Sequence, residues 1–247
     1  MNSKAILIFE WNRPNYLYVC LDALSRVRRL KSWDVHVRLD GGGDSNFDWV
    51  FQKHPFVKVS KNQQRLGNAR HLNKSIKDVF LLGYKEVLYY DGDVIVRTDV
   101  LDYLESVVRD AAFYSLYKMK LEPLVNWYCP LGNLITKDDW EKLNDWLQHE
   151  RYVGLPLPGD RPGTLTKDAW NHDDILGAYA IAEKKPTRYA DKYYSLHFGI
   201  RGMNSHLAPG IEEQMFAGAP INWMNNILSV ARQIKNKAFI PGDFEYA

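Results

Sequence analysis

Four short apolar, β-prone runs recur in the first hundred residues, at 5–9, 35–39, 57–60 and 86–90. Helix-patterned or loop segments separate them. The stretch 16–29 carries Leu17, Cys20, Leu21 and Leu24 on one helical face, and 68–82 carries Leu72, Ile76, Val79 and Phe80. Strands spaced in this way are too far apart for tight hairpins and call for crossover connections. The expected result is an α/β fold with a mostly parallel sheet covered by helices.

After residue 93 the pattern loosens. A helix is expected over 101–108, a strand over 112–119, and a helix over 138–147 with Asp138 as N-cap and Glu141 completing a capping box. Three prolines and three glycines make 151–163 an irregular excursion. Asp173 or Asp174 opens a helix running to 182, and 193–198 reads as a late strand. The stretch 222–237 is amphipathic, with Trp223, Ile227, Val230 and Ile234 on one side. That face suits docking on the domain, while Arg232, Lys235 and Lys237 keep a peripheral membrane contact open. Gly202, Gly210 and Gly218 punctuate 199–218, where a mobile segment is expected.

The bulk numbers narrow the function classes. The 247 residues are 46% hydrophobic and 25% charged with a net charge of +2, which describes a globular chain without the basic excess of a non-specific nucleic-acid binder. Only Cys20 and Cys129 are present, so no disulfide framework is expected and the usage suits a reducing compartment. No signal peptide is visible, and no apolar run approaches the roughly 20 residues of a membrane span.

Several groups carry possible chemistry. Asp91-Gly92-Asp93 follows the fourth apolar run, putting two carboxylates at a strand end. They repel one another unless a cation, protons or hydrogen bonds compensate, so the pair reads either as a divalent-cation site or as a solvated turn. Asp40 also follows a strand and precedes three glycines, either as a ligand-binding carboxylate or as an Asx turn. Gly67 leads into a helix that carries Arg70 and Asn73 on neighbouring positions of one face, with free N–H groups suited to an anion. Asp173 and Asp174 precede Ile175, either as helix-start acids or as the source of a general base. His197 interrupts an apolar run, as a core histidine or as a ligand for Mn²⁺. His36 alternates on a strand, whereas His54, His71 and His149 read as surface or helix residues. No Gly-x-Gly-x-x-Gly follows the first strand and no P-loop signature occurs, which weakens both of those nucleotide-binding readings.

Taken in order, these residues resemble a nucleotide-sugar-dependent glycosyltransferase of the GT-A fold, most like the inverting family 2-type enzymes. The similarity runs through Phe9-Glu10-Trp11-Asn12-Arg13-Pro14, Asp40, the Gly67–Asn73 segment, Asp91-Gly92-Asp93, Asp173-Asp174 and His197, covering roughly residues 4 to 200. The opening Phe9-Glu10-Trp11-Asn12 departs from the family's Thr- or Ser-rich version, and Arg65 stands where asparagine is common. The resemblance implies one Rossmann-like, three-layer domain over 1–247. Residues 1–100 would be its nucleotide-sugar half, 101–200 its acceptor and catalytic half, and 201–247 a flexible segment with a C-terminal helix.

The resemblance further implies a hexosyltransferase-like reaction, in which a sugar moves from a nucleoside-diphosphate sugar, a UDP-sugar favoured, to an acceptor hydroxyl with inversion. Asp40, Gly67, Arg70, Asn73, Asp91 and Asp93 would line the donor. Asp93, Asp91 and His197 would hold Mn²⁺ or Mg²⁺, and Asp174, with Asp173 beside it, would supply the base. The implied acceptor is a glycan, a lipid-linked sugar, a protein or a modified nucleic-acid base. Trp127, Tyr128, Trp170 and Trp223 are candidates to stack on it. The implied setting is cytoplasmic, with peripheral contact at the inner face of a membrane as a variant. A nucleotidyltransferase on a related α/β sheet and a non-catalytic glycan-binding or scaffolding domain are the alternatives.

Overall fold

The opening strand is buried on both faces, as a central strand of a parallel sheet must be. The computed structural model describes residues 2–116, 124–125, 132–158, 162–167, 172–192 and 194–197. Its elements run β1 (Lys4–Glu10), α1 (Pro14–Ser25), a 3₁₀ turn (Leu30–Ser32), β2 (Asp34–Leu39), α2 (Asp48–Lys53), β3 (Val57–Lys61), α3 (Asn68–Leu81), β4 (Glu86–Asp91), β5 (Val94–Val96) and α4 (Val100–Ser106). There follow β6 (Phe113–Ser115), β7 (Leu124–Val125), β8 (Asn133–Thr136), α5 (Lys137–Gln148), α6 (His172–Ala182), β9 (Thr187–Tyr189) and β10 (Ser195–His197).

The main sheet has the order β3-β2-β1-β4-β8-β6-β9-β7, and β10 pairs with β5 in a separate two-stranded ladder. The first four strands are mutually parallel, as expected. The second half is mixed: β8 runs antiparallel to both β4 and β6, β6 and β9 are parallel, and β7 and β9 are antiparallel. The strand spacing in the first hundred residues determines only the parallel part.

Period-two alternation sorts β1 between two cores. Ile6 and Ile8 join Leu17, Leu21 and Leu24 of α1, Val50 of α2 and Leu101 of α4 on one face. Ala5, Leu7 and Phe9 join Leu72, Ile76 and Val79 of α3, Trp140 and Leu143 of α5, and Ile175 and Leu176 of α6 on the other. The domain therefore has three layers. Each fully buried Leu or Ile contributes about 1.5–3 kcal/mol relative to exposure, so both helical layers are firmly tied to the sheet.

Several boundaries differ from the expectation. The first helix starts at Pro14, where a ring-fixed φ and a missing N–H suit the first turn, and it ends at Ser25. Arg29, in a left-handed conformation, then turns the chain toward β2. The cap of α5 is Thr136, not Asp138: its hydroxyl accepts from Asp139 N at 3.2 Å and donates to Asp139 Oδ2 at 2.7 Å. β8 ends at that residue, so the helix begins one turn position earlier than the acidic run suggests. The helix α2 is too short to display a period. His54 is buried against the rings of Tyr18 and Phe56 rather than lying at the surface.

Cys20 is buried, as expected of a core residue. Cys129, the aromatic residues Trp127, Tyr128, Trp170 and Trp223, the 199–218 segment and the amphipathic 222–237 segment lie outside the described residues. Among the described residues no helix is long and apolar enough to cross a membrane.

Replacing the capping hydroxyl tests the α5 start. Thr136→Ala should lower stability by about 1 kcal/mol in urea denaturation, whereas Thr136→Ser should stay close to the parent.

Candidate active site

Ligands of open α/β sheets bind beyond the carboxyl ends of the strands, where the strand order reverses. Here the chain leaves β1 for β2 and β3, then returns across β1 to β4, so the reversal lies between β1 and β4. Three strand ends are pinned together there. Asp40 N donates to Glu10 O at 2.8 Å, and Gly92 N donates to Phe9 O at 3.1 Å. This backbone arrangement brings Asp40, Glu10 and the Asp91-Gly92-Asp93 motif to one edge.

The Asp40 carboxylate organises the loop that leads into α3. Oδ1 accepts from Gly41 N at 3.0 Å, Asn62 Nδ2 at 3.1 Å and Leu66 N at 2.9 Å; Oδ2 accepts from Gly67 N at 3.0 Å. Burial opposes its charge, but the Leu66 N–H, the Asn62 amide and the Gly67 N–H together hold its pKa below the ordinary carboxylate value. Neutral His71 braces the arrangement. Its Nε2 donates to Arg38 O at 3.1 Å, its Nδ1 accepts from Asn62 Nδ2 at 2.9 Å, and burial keeps its pKa low. Gly67 itself sits at φ 79°, ψ 168°, a region essentially restricted to glycine, and forms the N-cap of α3. Arg65 lies over the Trp11 ring at 3.8 Å. On α3, Arg70 is exposed and has no ion-pair or hydrogen-bond partner among the described residues, while Asn73 is half-buried.

At the end of β4, Asp91 is half-buried and Asp93 is 3% exposed. The Arg13 guanidinium is ion-paired with Asp93 through Nη1 and Oδ2. Its Nε donates at 2.9 Å to Oε1 of Glu10, whose side chain is fully buried. Glu10 Oε1 also accepts from Trp11 N at 2.6 Å. Burial, with Asp93's charge adding to it, pushes the Glu10 pKa up to about 8 despite the nearby Arg13. Burial disfavours the Arg13 charge, yet Asp93, Glu10 and Asp91 raise its pKa further above the ordinary arginine value.

Glu10 Oε2 is buried and has no hydrogen-bond partner among the described residues. A Cβ on Gly92 would lie only 2.4 Å from it, so any other residue there has to displace the buried Glu10 carboxyl. Glu10, Asp91 and Asp93 bring carboxyl oxygens to this strand end, a donor chemistry that suits a hard divalent cation. A set this small suits an ion bound through one or two carboxylates and completed by water or phosphate oxygens. Among the described residues no group of three or more His, Cys, Asp or Glu side chains is placed to hold a metal ion. The strand register sets His197 opposite Val94, one residue beyond Asp93.

The third wall is the start of α6. His172 is buried with Phe9 edge-on at 5.9 Å. Its Nδ1 lies 2.7 Å from Asn68 Oδ1 at the start of α3, and its Nε2 lies 2.8 Å from Asp173 Oδ1. Two acceptors on opposite ring nitrogens suit the doubly protonated imidazolium. Burial disfavours that charge, but Asp173, and after it Asp91 and Asp174, hold the His172 pKa above its ordinary value. His172 thus joins Asp173 to the start of α3, and both α6 acids are half-buried.

The structure thus gathers Asp40, Gly67, Asp91, Asp93, Asp173 and Asp174 around one sheet edge, with Arg70 and Asn73 on the adjoining helix. Sequence reading gave Glu10, Arg13 and His172 no role in the site. Their signals were present: a carboxylate closing an otherwise apolar strand, an arginine three residues later, and an imidazole directly before two acids.

No protein-family model matches the chain, and no curated protein matches it in sequence. Solved structures share its fold. The Staphylococcus aureus TarS fragment 1–349, in complex with UDP-GlcNAc, superposes with a TM-score of 0.55 at 12% identity, over 96% of this chain and 73% of that one. The mannosyltransferase PcManGT from Pyrobaculum calidifontis, in complex with GDP-Man and Mn²⁺, gives 0.51 at 13% identity, over 96% and 74%. The galactosyltransferase LgtC, with donor and acceptor sugar analogues, gives 0.50 at 14% identity, over 97% and 98%. At these identities the likeness is one of fold.

Two measurements test this geometry. Gly92→Ala should destabilise the protein by about 1–3 kcal/mol in denaturant titration, because the new methyl group meets a buried carboxylate. His172 has a raised folded-state pKa, so its contribution is fully present below the unfolded value of about 6.5 and is lost as pH rises through the folded value. The gap in Tm between the parent and His172→Gln should therefore be widest near pH 5.5–6 and shrink toward pH 9. A gap independent of pH contradicts the imidazolium.

Proposed function

We propose that this chain is a GT-A glycosyltransferase that moves a sugar from a nucleoside-diphosphate sugar, a UDP-sugar foremost, to an acceptor hydroxyl. One observation carries the reading. A cradled carboxylate, a buried carboxylate cluster around Arg13 and a helix start with two acids converge where the strand order reverses. The fold it occurs in is shared with sugar transferases whose structures contain UDP-GlcNAc or GDP-Man.

In this reading residues 1–100 of a single 1–247 unit bind the donor, 101–200 bind the acceptor, and 201–247 complete the domain. Asp40 fixes the wall against which the nucleotide rests, with Gly67 bringing the backbone close to it. Asp40 spends its carboxylate largely on that loop, so its contribution to the base is mainly to shape the pocket. Arg70 reaches the diphosphate from the exposed face of α3, and Asn73 supports it from the next turn. Asp93 and Asp91 would hold Mn²⁺ or Mg²⁺, with His197 as a third ligand. When bound, such an ion neutralises charge on a departing diphosphate.

Asp174 accepts the proton of the acceptor hydroxyl on the face opposite the leaving group, which gives inversion. His172 holds Asp173 by an ion pair, so Asp173 orients the helix start while Asp174 acts as base. The acceptor is a hydroxyl of a glycan, a lipid-linked sugar, a protein or a modified base. The enzyme works in the cytoplasm, with peripheral membrane contact where the acceptor is lipid-linked.

A donor-hydrolysis screen across nucleotide sugars, with Mn²⁺ or with chelator, tests the assignment. One donor should be consumed in a chelator-sensitive manner. Asp93→Ala and Asp174→Ala should each lower turnover by about 10²–10⁴-fold, with Asp174→Ala retaining donor binding by calorimetry. Unchanged turnover in both variants overturns the reading. Pyrophosphate release from a nucleoside triphosphate favours a nucleotidyltransferase instead, and sugar binding without donor consumption favours a binding domain.

A further inference from the structure

Arg13 is held from every side. Its carbonyl accepts from Leu17 N at 3.2 Å as the N-cap of α1, and Pro14 follows it as the first helical residue. Its guanidinium lies 5.6 Å from the centre of the Tyr16 ring, and its Nε is bound by Glu10 at 2.9 Å. What this fixture presents to the motif is a positive charge, paired with the side chain of Asp93, which is 4% exposed. A guanidinium placed on Oδ2 of a buried carboxylate takes one of the two oxygens with which that carboxylate would meet another cation, and sets a positive charge beside the other.

We infer that Arg13, clamped by Glu10, is the resident counter-cation of Asp93 and competes with a divalent ion for that carboxylate. The inference rests on the metal-dependent reading above, and it makes Arg13 and Glu10 positioning residues. The motif is kept neutralised and folded without metal. A divalent ion on its own must share Asp93 with an arginine that cannot diffuse away, so it binds weakly. A donor diphosphate changes the balance, because its oxygens add ligands to the ion and give the guanidinium a second anion. Ion and donor should consequently bind together rather than in sequence, through a coupling that is reciprocal by linkage.

The experiment measures Mn²⁺ binding without donor, by electron paramagnetic resonance of free Mn²⁺, in the parent, Arg13→Gln and Arg13→Lys. Arg13→Gln should bind Mn²⁺ at least tenfold more tightly than the parent, and Mn²⁺ should raise its Tm by more than it raises the parent's. Arg13→Lys, which keeps the charge, should stay near the parent. Equal or weaker Mn²⁺ binding by Arg13→Gln overturns the inference.

Removal of the guanidinium leaves Glu10 and Asp93 buried together, so Glu10→Gln/Arg13→Gln provides a second variant with the same expectation and fewer buried charges. The parent protein supplies a measurement that needs no variant. Its Arg13 side-chain ¹⁵N resonance should be protected from exchange in apo protein, unmoved by millimolar Mg²⁺ alone, and displaced by Mg²⁺ with UDP. Displacement by Mg²⁺ alone, or none by the pair, counts against the competition. If the parent binds Mn²⁺ with UDP but Arg13→Gln gains nothing, only this inference fails. If no form binds Mn²⁺ under either condition, the metal-dependent part of the functional reading fails with it.

Discussion

The pairing of β1 between β2 and β4 is the constraint on which the rest of the site depends. Its register sets Glu10 beside Leu39 and Phe9 beside Asp91. Past the ends of those ladders the backbone continues to bond, Asp40 to Glu10 and Gly92 to Phe9. A one-residue slip of either neighbour would reverse the faces of its side chains and carry the strand-end carboxylates to the wrong layer. The alternating burial of Ala5, Leu7 and Phe9 against Ile6 and Ile8 makes such a slip costly, because both faces of β1 are packed. Packing energy in the sheet is thereby converted into the position of charge at its edge.

That charge is expensive to keep. Glu10 and Asp93 are removed from water and Arg13 largely so, and a buried ion pair of this kind is often no more stable than apolar side chains of equal volume. Ala5 to Phe9 of β1 are apolar and buried, so stability alone would favour an apolar residue at position 10 as well. A buried, strongly perturbed carboxylate in a crevice at a strand-order reversal is instead the pattern associated with functional sites. The Gly92 contact points the same way: the motif's central residue is restricted by a carboxylate that the hydrophobic core does not need.

The fold was legible where side-chain periodicity is long and burial complete. The strands β1, β2, β3 and β4 and the helices α1 and α3 follow from it within a few residues. Periodicity failed where elements are brief or set by a single hydroxyl, as in α2 and the Thr136 cap, and it carries no information about strand direction in the antiparallel half. The candidate site was legible in its acids, because a carboxylate at the end of an apolar run is conspicuous. Its cations were not. Arg13 sits in a loop where arginine is unremarkable, and its importance arises from the proximity of Asp93, 80 residues away in the chain. His172 was visible beside Asp173, but its bond to Asn68 spans 104 residues and only the packing of α6 against α3 creates it.

Three carboxylates at this edge receive three different treatments, and the difference divides their work. Asp40 accepts several N–H groups, which stabilise its charge and commit it to shaping a loop. Glu10 accepts on one oxygen only, has its other oxygen buried without a partner, and is driven toward the protonated state by burial. Asp173 is ion-paired with His172 at the half-exposed start of a helix, where the dipole also favours an anion. Asp174, next in the chain, has the same helix-start advantage and projects from a different position around the turn. A proton acceptor needs access to substrate and a charge that its surroundings do not already consume. Asp40 fails the second condition and Glu10 the first, which is why the proposed reading gives the base role to α6 and leaves the strand ends to hold charge in place.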